Sequence, residues 1–317
     1  MTSVSARIDP AADFGGLWIP LVTPFRQGVA DPPAIDHAAA AALVRSLLAD
    51  GAAGIVLCGS TGEAAALDDT EQFALLDGLL AAVPDVRIVM GVAGNHLPSL
   101  LQRVRALCTR RLAGLLVSAP AYIRPGQDGV VAWFRALADA STVPVLLYDI
   151  PYRTGVTITR ETLLTLAGHP RIVGIKDCGG DLAKTLALVA DGRLQVLAGE
   201  DLQLFTTVAA GGAGAITASA HCHTARFAAV ITHLRAGDVL AARAAFLPLL
   251  PWIEAMFAEP NPAPVKAALA ATGRIDGCLR APLMPASPAL VARLPGLYQA
   301  VAGAGLAAAA DGATAGW

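Results

Sequence analysis

The sequence predicts an α/β fold, a (β/α)8 TIM barrel carrying a C-terminal helical extension. Three observations carry that reading. Strand candidates alternate with helix candidates eight times along the chain. Most of the strand candidates are continuous apolar runs, as expected of parallel strands buried on both faces. No G-x-G-x-x-G turn follows the first of them, which counts against a doubly wound open sheet.

Residues 1–12 have no apolar segment of the signal-peptide kind and read as a flexible tail. The barrel is expected over 13–236. Its first strand falls at 17–23, and an alanine-rich helix over 35–50 is closed by Gly51. The run 54–58 is the second strand, followed by Gly59-Ser60-Thr61-Gly62-Glu63 and a helix over 69–83 that stops at Pro84. Strand three is 86–90. Asn95 and Pro98 open a helix reaching 111, and 115–117 is strand four. A helix over 127–140 leads to strand five at 143–148, then Thr159 is a plausible N-cap for a short helix ending at Gly168. Strand six is Ile172-Val173-Gly174-Ile175-Lys176-Asp177. Asp181 caps the next helix to 191, strand seven is 194–197, a helix covers 202–210, strand eight is 214–218, and a helix runs over 224–235. Further helices at 238–257, 262–272 and 288–302 form the extension, 237–303. The alanine- and glycine-rich segment 304–317 has little to bury and reads as a second flexible tail.

Composition narrows the function classes. A chain of 317 residues that is 55% hydrophobic can bury one large α/β core. A net charge of -2, with no basic run and no interleaved aromatics, argues against nucleic acid as a partner. The long uncharged stretches, such as 202–221, are broken by Gln, Thr and Gly, so no membrane span is expected. Five scattered cysteines without a C-x-x-C pair fit unpaired thiols in a reducing cytoplasm.

The residue that organises the rest is Lys176, set in an apolar strand. Strand alternation puts Ile172, Gly174 and Lys176 on one face and Val173, Ile175 and Asp177 on the other, so the lysine faces away from its acidic neighbour. An amine in low dielectric without a close carboxylate loses affinity for its proton and can form a Schiff base with a carbonyl substrate. The alternative is a strand-end lysine reaching to solvent. In a barrel, chemistry gathers at the carboxyl ends of the strands, which brings Lys176, the Ser60-Thr61 loop, Tyr148 and Ile216 to one mouth. The glycine-flanked Ser60 and Thr61 can cradle a small carboxylate, or merely form a tight turn and cap. Tyr148 can shuttle protons during carbinolamine formation and collapse, or be an ordinary rim aromatic. Arg153 can grip a substrate carboxylate, or form a structural ion pair. His221 and His223 share a face of an extended segment but lack a third ligand, so a metal is not expected. Cys178 reads as a small buried thiol.

These residues stand in motifs. G-S-T-G-E after strand two, Y-D-I-P-x-R-T-G after strand five and G-I-K-D on strand six, in this order and spacing, resemble the dihydrodipicolinate synthase and N-acetylneuraminate lyase family. The resemblance runs from about Trp18 to Met284 and includes L-V-T-P-F at 21–25, A-P-A-Y-I-R-P at 119–125 and E-P-N-P-x-P-V-K at 259–266.

The resemblance implies a pyruvate-dependent class I aldolase barrel working without a cofactor. Lys176 would hold pyruvate as a Schiff base, Ser60 and Thr61 its carboxylate, and Tyr148 would transfer the central proton. Tyr122 matches a tyrosine that completes a hydroxyl relay from a neighbouring subunit, with Ser60 between the two, and Ile216 matches a position whose carbonyl lines the site. A homo-oligomer, dimer or tetramer, is implied. Arg153 matches the arginine with which the synthases grip the carboxylate of aspartate semialdehyde, which selects condensation of pyruvate with L-aspartate semialdehyde, on the route to lysine and diaminopimelate. Two other readings are a related aldolase or dehydratase acting on 4-hydroxy-2-oxoglutarate or 2-keto-3-deoxy sugar acids, and a non-catalytic pyruvate-binding regulatory barrel. The chain differs from the synthase pattern at Asp149, usually Asn, which would bring negative charge near the site, and at Tyr152, usually small. Ala121, Asp69 and Gln72 replace the tyrosine and histidines common in the lysine feedback site, although Asn95 is kept, so no lysine inhibition is expected.

Overall fold

The structure is a computed structural model that describes residues 12–26, 28 and 31–304. Both expected tails lie outside the described residues except for Ala12 and Ala304. Eight parallel strands close into a barrel: β1 (Gly16–Pro20), β2 (Gly54–Leu57), β3 (Ile88–Val92), β4 (Gly114–Ser118), β5 (Val145–Asp149), β6 (Ile172–Asp177), β7 (Gln195–Ala198) and β8 (Gly214–Ile216), with β8 pairing back onto β1. The predicted barrel is therefore the observed one. Strand ends differ from expectation by a few residues, because pairing, not composition, ends a strand.

The helices follow as α1 (His37–Ala49), α2 (Asp69–Ala82), α3 (Leu97–Leu107), α4 (Gln127–Asp139), a single turn α5 (Pro151–Thr154), α6 (Arg160–Leu166), α7 (Leu182–Asp191), α8 (Leu204–Ala209) and α9 (Thr224–Arg235). Side-chain caps start several of them: Thr159 accepts from the Thr162 N–H and Asp181 from the Lys184 N–H, as read from sequence. A short antiparallel pair, Phe25–Arg26 with Ala34–Ile35, was not expected.

Barrel strands present one face inward and one to the helices, and both are apolar. The outward face, including Ile19, Ile55, Ile88, Leu115, Leu147, Ile175 and Val196, packs under the helices. The inward face holds Phe14, Trp18, Val56, Val89, Leu116, Leu146, Leu197 and Ile216. Phe14 and Trp18, with ring centroids 5.5 Å apart, plug the amino end, where the Trp18 indole N–H donates to the Phe14 carbonyl at 2.9 Å. Bulk at one end leaves the other end open.

Strict alternation fails at one point on β6. The ladder pairs Val145 with Ile172 but Leu146 with Gly174, so Val173 is an extra, bulged residue. Ile172 thus joins the outer layer with Ile175, while Val173 packs against the inner cluster. The expectation that Ile172 shares a face with Lys176 is corrected by the bulge. The assignment of Lys176 inward and Asp177 outward is unaffected.

The extension comprises α10 (Val239–Phe246), α11 (Leu250–Met256), α12 (Ala263–Ala271) and α13 (Pro288–Gly303). The stretch Val239–Met256 is long and apolar enough to cross a membrane by length and composition. Here Phe246, Leu249, Trp252, Ile253 and Met256 are buried in the core that the extension shares with the barrel.

Candidate active site

The open carboxyl end of the barrel holds a cavity of about 200 Å³ whose walls include Lys176, Tyr148, Ser60, Thr61, Arg153 and Ile216. The strands bring these six together. Lys176 and Tyr148 are paired residues on β6 and β5, and the lysine Nζ stands 4.5 Å from the tyrosine ring centroid. Asp177, pointing the opposite way, lies 3.4 Å from Lys184 Nζ and accepts from Thr185 Oγ1 at 2.7 Å. The acidic neighbour is thus committed outside the barrel, as alternation predicts, and Lys176 is left facing the cavity.

Gly199, after β7, passes so close that a Cβ there would come within 2.9 Å of Lys176 Cγ and 2.3 Å of Cys178 Sγ. Only glycine lets that loop line the lysine. Tyr148 is 9% exposed; burial, and after it Cys178, push its phenol well up, while Arg153 and a hydrogen bond with Ser60 pull the other way. The phenol is therefore neutral at ordinary pH, with a proton to give. Deep in the same mouth, Asp201 accepts from the Ser219 N–H at 2.7 Å and from the Ser219 hydroxyl, joining the β7 and β8 loops; burial raises it to about 6.

The Ser60–Gly62 turn is a 3-10 helix that ends on Glu63 in the left-handed region, φ 54°. Its conformation is held by the extension. Asn261 Nδ2 donates to Thr61 Oγ1 at 2.9 Å, leaving the threonine proton free for an acceptor in the cavity. The Glu63 carboxylate accepts from the Arg280 N–H at 3.0 Å and pairs with Lys266, both side chains being fully buried. Asn261 and Glu259 also line the cavity, so the extension forms part of its wall.

Tyr122 is the one expected site residue that the chain does not bring to this cavity. It is 90% exposed, on the loop after β4, with φ 73°. Beside it, Ala121 lines a second, mainly apolar cavity of about 380 Å³ that shares Ser60, Tyr148 and Arg153 with the first.

The negative charge expected from Asp149 does not reach the site. Asp149 is fully buried on the outer face of β5, paired with Lys184 of α7, and accepts from the Ile158 N–H at 3.3 Å. The residue that departs from the synthase pattern has its own counter-ion. His221 uses both ring nitrogens on backbone: Nδ1 donates to the Ala218 carbonyl at 2.8 Å and Nε2 accepts from the Val22 N–H at 3.1 Å. His223 stacks instead on Tyr298, with centroids 4.3 Å apart, so the two histidines do not share a ligand position.

Sequence reasoning did not single out Glu200, Asp201 and Asn261. Gly199-Glu200-Asp201 follows a barrel strand directly, and the rule that chemistry collects at strand carboxyl ends would have found it. For Asn261 the only signal was its place in E-P-N-P.

Known proteins are similar over nearly the whole chain. A model of the dihydrodipicolinate synthetase family matches residues 13–294. A 4-hydroxy-tetrahydrodipicolinate synthase of Sorangium cellulosum is 37% identical over 278 residues, which is 86% of this chain and 91% of that protein. The 4-hydroxy-tetrahydrodipicolinate synthase 1 of Streptomyces coelicolor is 39% identical over 295 residues, 92% of this chain and 95% of that one. Among solved structures, a monomeric dihydrodipicolinate synthase variant superposes with a TM-score of 0.88 at 28% identity, covering 93% of this chain and 99% of its own. Dihydrodipicolinate synthase from Thermotoga maritima gives 0.87 at 28% identity, covering 92% and 99%.

Proposed function

The chain belongs to the dihydrodipicolinate synthetase family, and from that premise we propose that it is a lyase-type synthase condensing pyruvate with L-aspartate semialdehyde to 4-hydroxy-tetrahydrodipicolinate. The observation that carries the reading is Lys176 facing the cavity beside the neutral phenol of Tyr148.

The chemistry follows from these groups. The Lys176 amine, giving up its proton, adds to the keto carbon of pyruvate, and the carbinolamine loses water to give the imine. Tyr148, in hydrogen-bonding contact with Ser60, supplies and recovers the protons. The pyruvate carboxylate is held by the Ser60 and Thr61 hydroxyls and the turn's N–H groups. Loss of a methyl proton gives the enamine, whose carbon attacks the aldehyde. The acceptor's own amine then adds to the imine carbon and displaces Lys176, closing the ring, so the net loss is one water. Arg153 binds the acceptor carboxylate, and the low-dielectric site makes a mismatched acceptor costly.

The relay is completed by Tyr122 from a neighbouring copy, which makes the working form a homo-oligomer, dimer or tetramer. What supports this is the exposure of Tyr122 together with the apolar cavity beside Ser60. No cofactor is required, since the imine itself supplies the electron sink. A cytoplasmic location fits five cysteines without a disulfide among the described residues.

The test is pyruvate consumption by the purified protein with L-aspartate semialdehyde, beside an Arg153→Ala variant. Turnover that falls at least a hundredfold in kcat/KM in the variant supports the reading. A folded protein that consumes no pyruvate with this acceptor rejects it, and borohydride trapping of pyruvate on Lys176 then tells another aldolase from a non-covalent binder.

A further inference from the structure

We propose that Tyr152, latched by Glu200, forms the outer wall of the acceptor subsite and sets the length of acceptor the enzyme takes. The inference rests on the reading of Lys176 and Arg153 given above.

Tyr152 and Arg153 are consecutive residues of the single turn α5, directly after β5. The two side chains serve different walls. Arg153 lines both cavities, whereas Tyr152 lines only the one that holds Lys176. From there Tyr152 reaches over the end of β6: its hydroxyl donates to Glu200 Oε1, on the loop after β7, at 3.0 Å. β6 lies between β5 and β7 in the barrel, so this bond spans the strand that carries the lysine. Cys178, two residues past Lys176, and Tyr148 both lie near enough to act on the Tyr152 phenol, which burial pushes up beyond the usual range. Tyr152 thus lines the Lys176 cavity on one side and remains 65% exposed overall.

An aromatic ring in that position takes up the space a longer acceptor would occupy. The cavity beneath is about 200 Å³ and meets the cavity of about 380 Å³ at Ser60, Tyr148 and Arg153, so the wall that Tyr152 supplies is the one on the Glu200 side of Lys176. The latch matters because a free tyrosine turns about two bonds at little cost. A hydrogen bond to a carboxylate is among the stronger kinds and holds the ring over the mouth. Glu200 is then a positioning residue, acting through Tyr152.

The test compares two aldehydes that both carry the terminal carboxylate Arg153 needs and differ by one methylene, succinate semialdehyde and 5-oxopentanoate. kcat/KM is measured for each with pyruvate in the unaltered enzyme, Tyr152→Ala, Tyr152→Phe, Glu200→Ala, the Tyr152→Phe and Glu200→Ala double variant, and Glu200→Gln. For an aldehyde that binds without turnover, its inhibition constant against L-aspartate semialdehyde replaces kcat/KM. One methylene against a fixed wall is worth about ten- to two-hundredfold. The unaltered enzyme should prefer the shorter aldehyde by at least tenfold, and Tyr152→Ala should reduce that to less than threefold. Tyr152→Phe and Glu200→Ala should each relax it partly, with no further change when combined, whereas Glu200→Gln, whose amide oxygen still accepts, should keep it. A purely structural role would move both aldehydes together and leave the ratio alone. An unaltered enzyme that does not discriminate, or a Tyr152→Ala ratio within twofold of it, overturns the proposal. Borohydride trapping of pyruvate in every variant separates the two levels: loss of trapping in the unaltered enzyme rejects the Schiff-base reading beneath it.

Discussion

The proton carrier proposed for the Schiff-base chemistry is the hydroxyl of Tyr148, which lines the cavity together with Lys176. Burial keeps its phenol neutral, Ser60 acts on it from the same cavity, and the Lys176 Nζ lies over its ring, 4.5 Å from the centroid. Tyr148→Phe removes that oxygen and little else, because the ring is packed in the inner cluster with Leu146, Ile150 and Cys178. The expected result is a fall in kcat of roughly 10²- to 10⁴-fold, the range for a positioned proton-transfer group, with a melting temperature within a few degrees of the parent. Steady-state kinetics beside a thermal scan would check this. An unchanged kcat would remove Tyr148 from the mechanism.

Between β5, β6 and α7 the decisive contact is the buried group Asp149, Lys184 and Asp177. The two carboxylates are the outward neighbours of Tyr148 and Lys176 in the same strands, so whatever fixes them fixes the backbone that aims the proposed catalytic pair. Burial alone lowers the Lys184 amine, yet its two carboxylates together leave it raised, while burial raises Asp149 although Lys184 pulls it down. Lys184→Met leaves two buried carboxylates, Asp149 and Asp177, without their shared cation, and breaking such a buried pair costs about 3–5 kcal/mol. Adding Asp149→Asn removes one of the two stranded charges, while Asp177 keeps the hydrogen bonds from Thr185 and the Gly179 N–H. Urea unfolding should show the double variant recovering at least half of the loss. A double variant no better than Lys184→Met would mean that Lys184 serves Asp177 alone.

Across the whole molecule, buried titratable groups tie stability to pH. His221 is held at about 4 by burial and His223 likewise, against an ordinary 6.5. Between those values the unfolded chain binds protons that the folded chain refuses, so stability falls as pH drops through that window, by roughly 3 kcal/mol for His221 if fully expressed. Asp201 works the other way. Raised by burial from 3.8 to about 6, it takes up a proton more readily when folded, and this contribution is lost as pH rises through its window. From these three groups the two histidines outweigh Asp201 and leave a net loss of about 1–3 kcal/mol between pH 6.5 and 4.5. Asp149, also raised by burial, works on the aspartate's side, and urea unfolding at the two ends measures the sum. His221→Gln should flatten the dependence and Asp201→Asn should steepen it. A parent protein whose stability rises toward pH 4.5 would contradict this assignment.

The same scale separates what was legible in the chain from what was not. The eight-strand order, the caps at Thr159 and Asp181, and the inward lysine with its outward aspartate were all readable, because apolar runs, capping oxygens and side-chain alternation are local properties of a few neighbouring residues. So was the gathering of Ser60, Thr61, Tyr148, Lys176 and Ile216, since barrel closure sends every strand's carboxyl end to one mouth. Tertiary structure alone decided the rest. The bulge at Val173 arises from pairing with β5 and has no mark in its own hexapeptide. Asp149 looked like a charge aimed at the site until the fold set Lys184 against it, and Thr61 and Glu63 are held by Asn261 and Arg280, 200 and 217 residues further on. The Tyr152 to Glu200 bond likewise joins loops on either side of the lysine strand. A sequence states which groups are present and how near neighbours must point. Which distant group answers a buried charge or hydroxyl is settled only when closure of the barrel puts both in the same small, dry volume, where leaving either unpaired costs more than bringing them together.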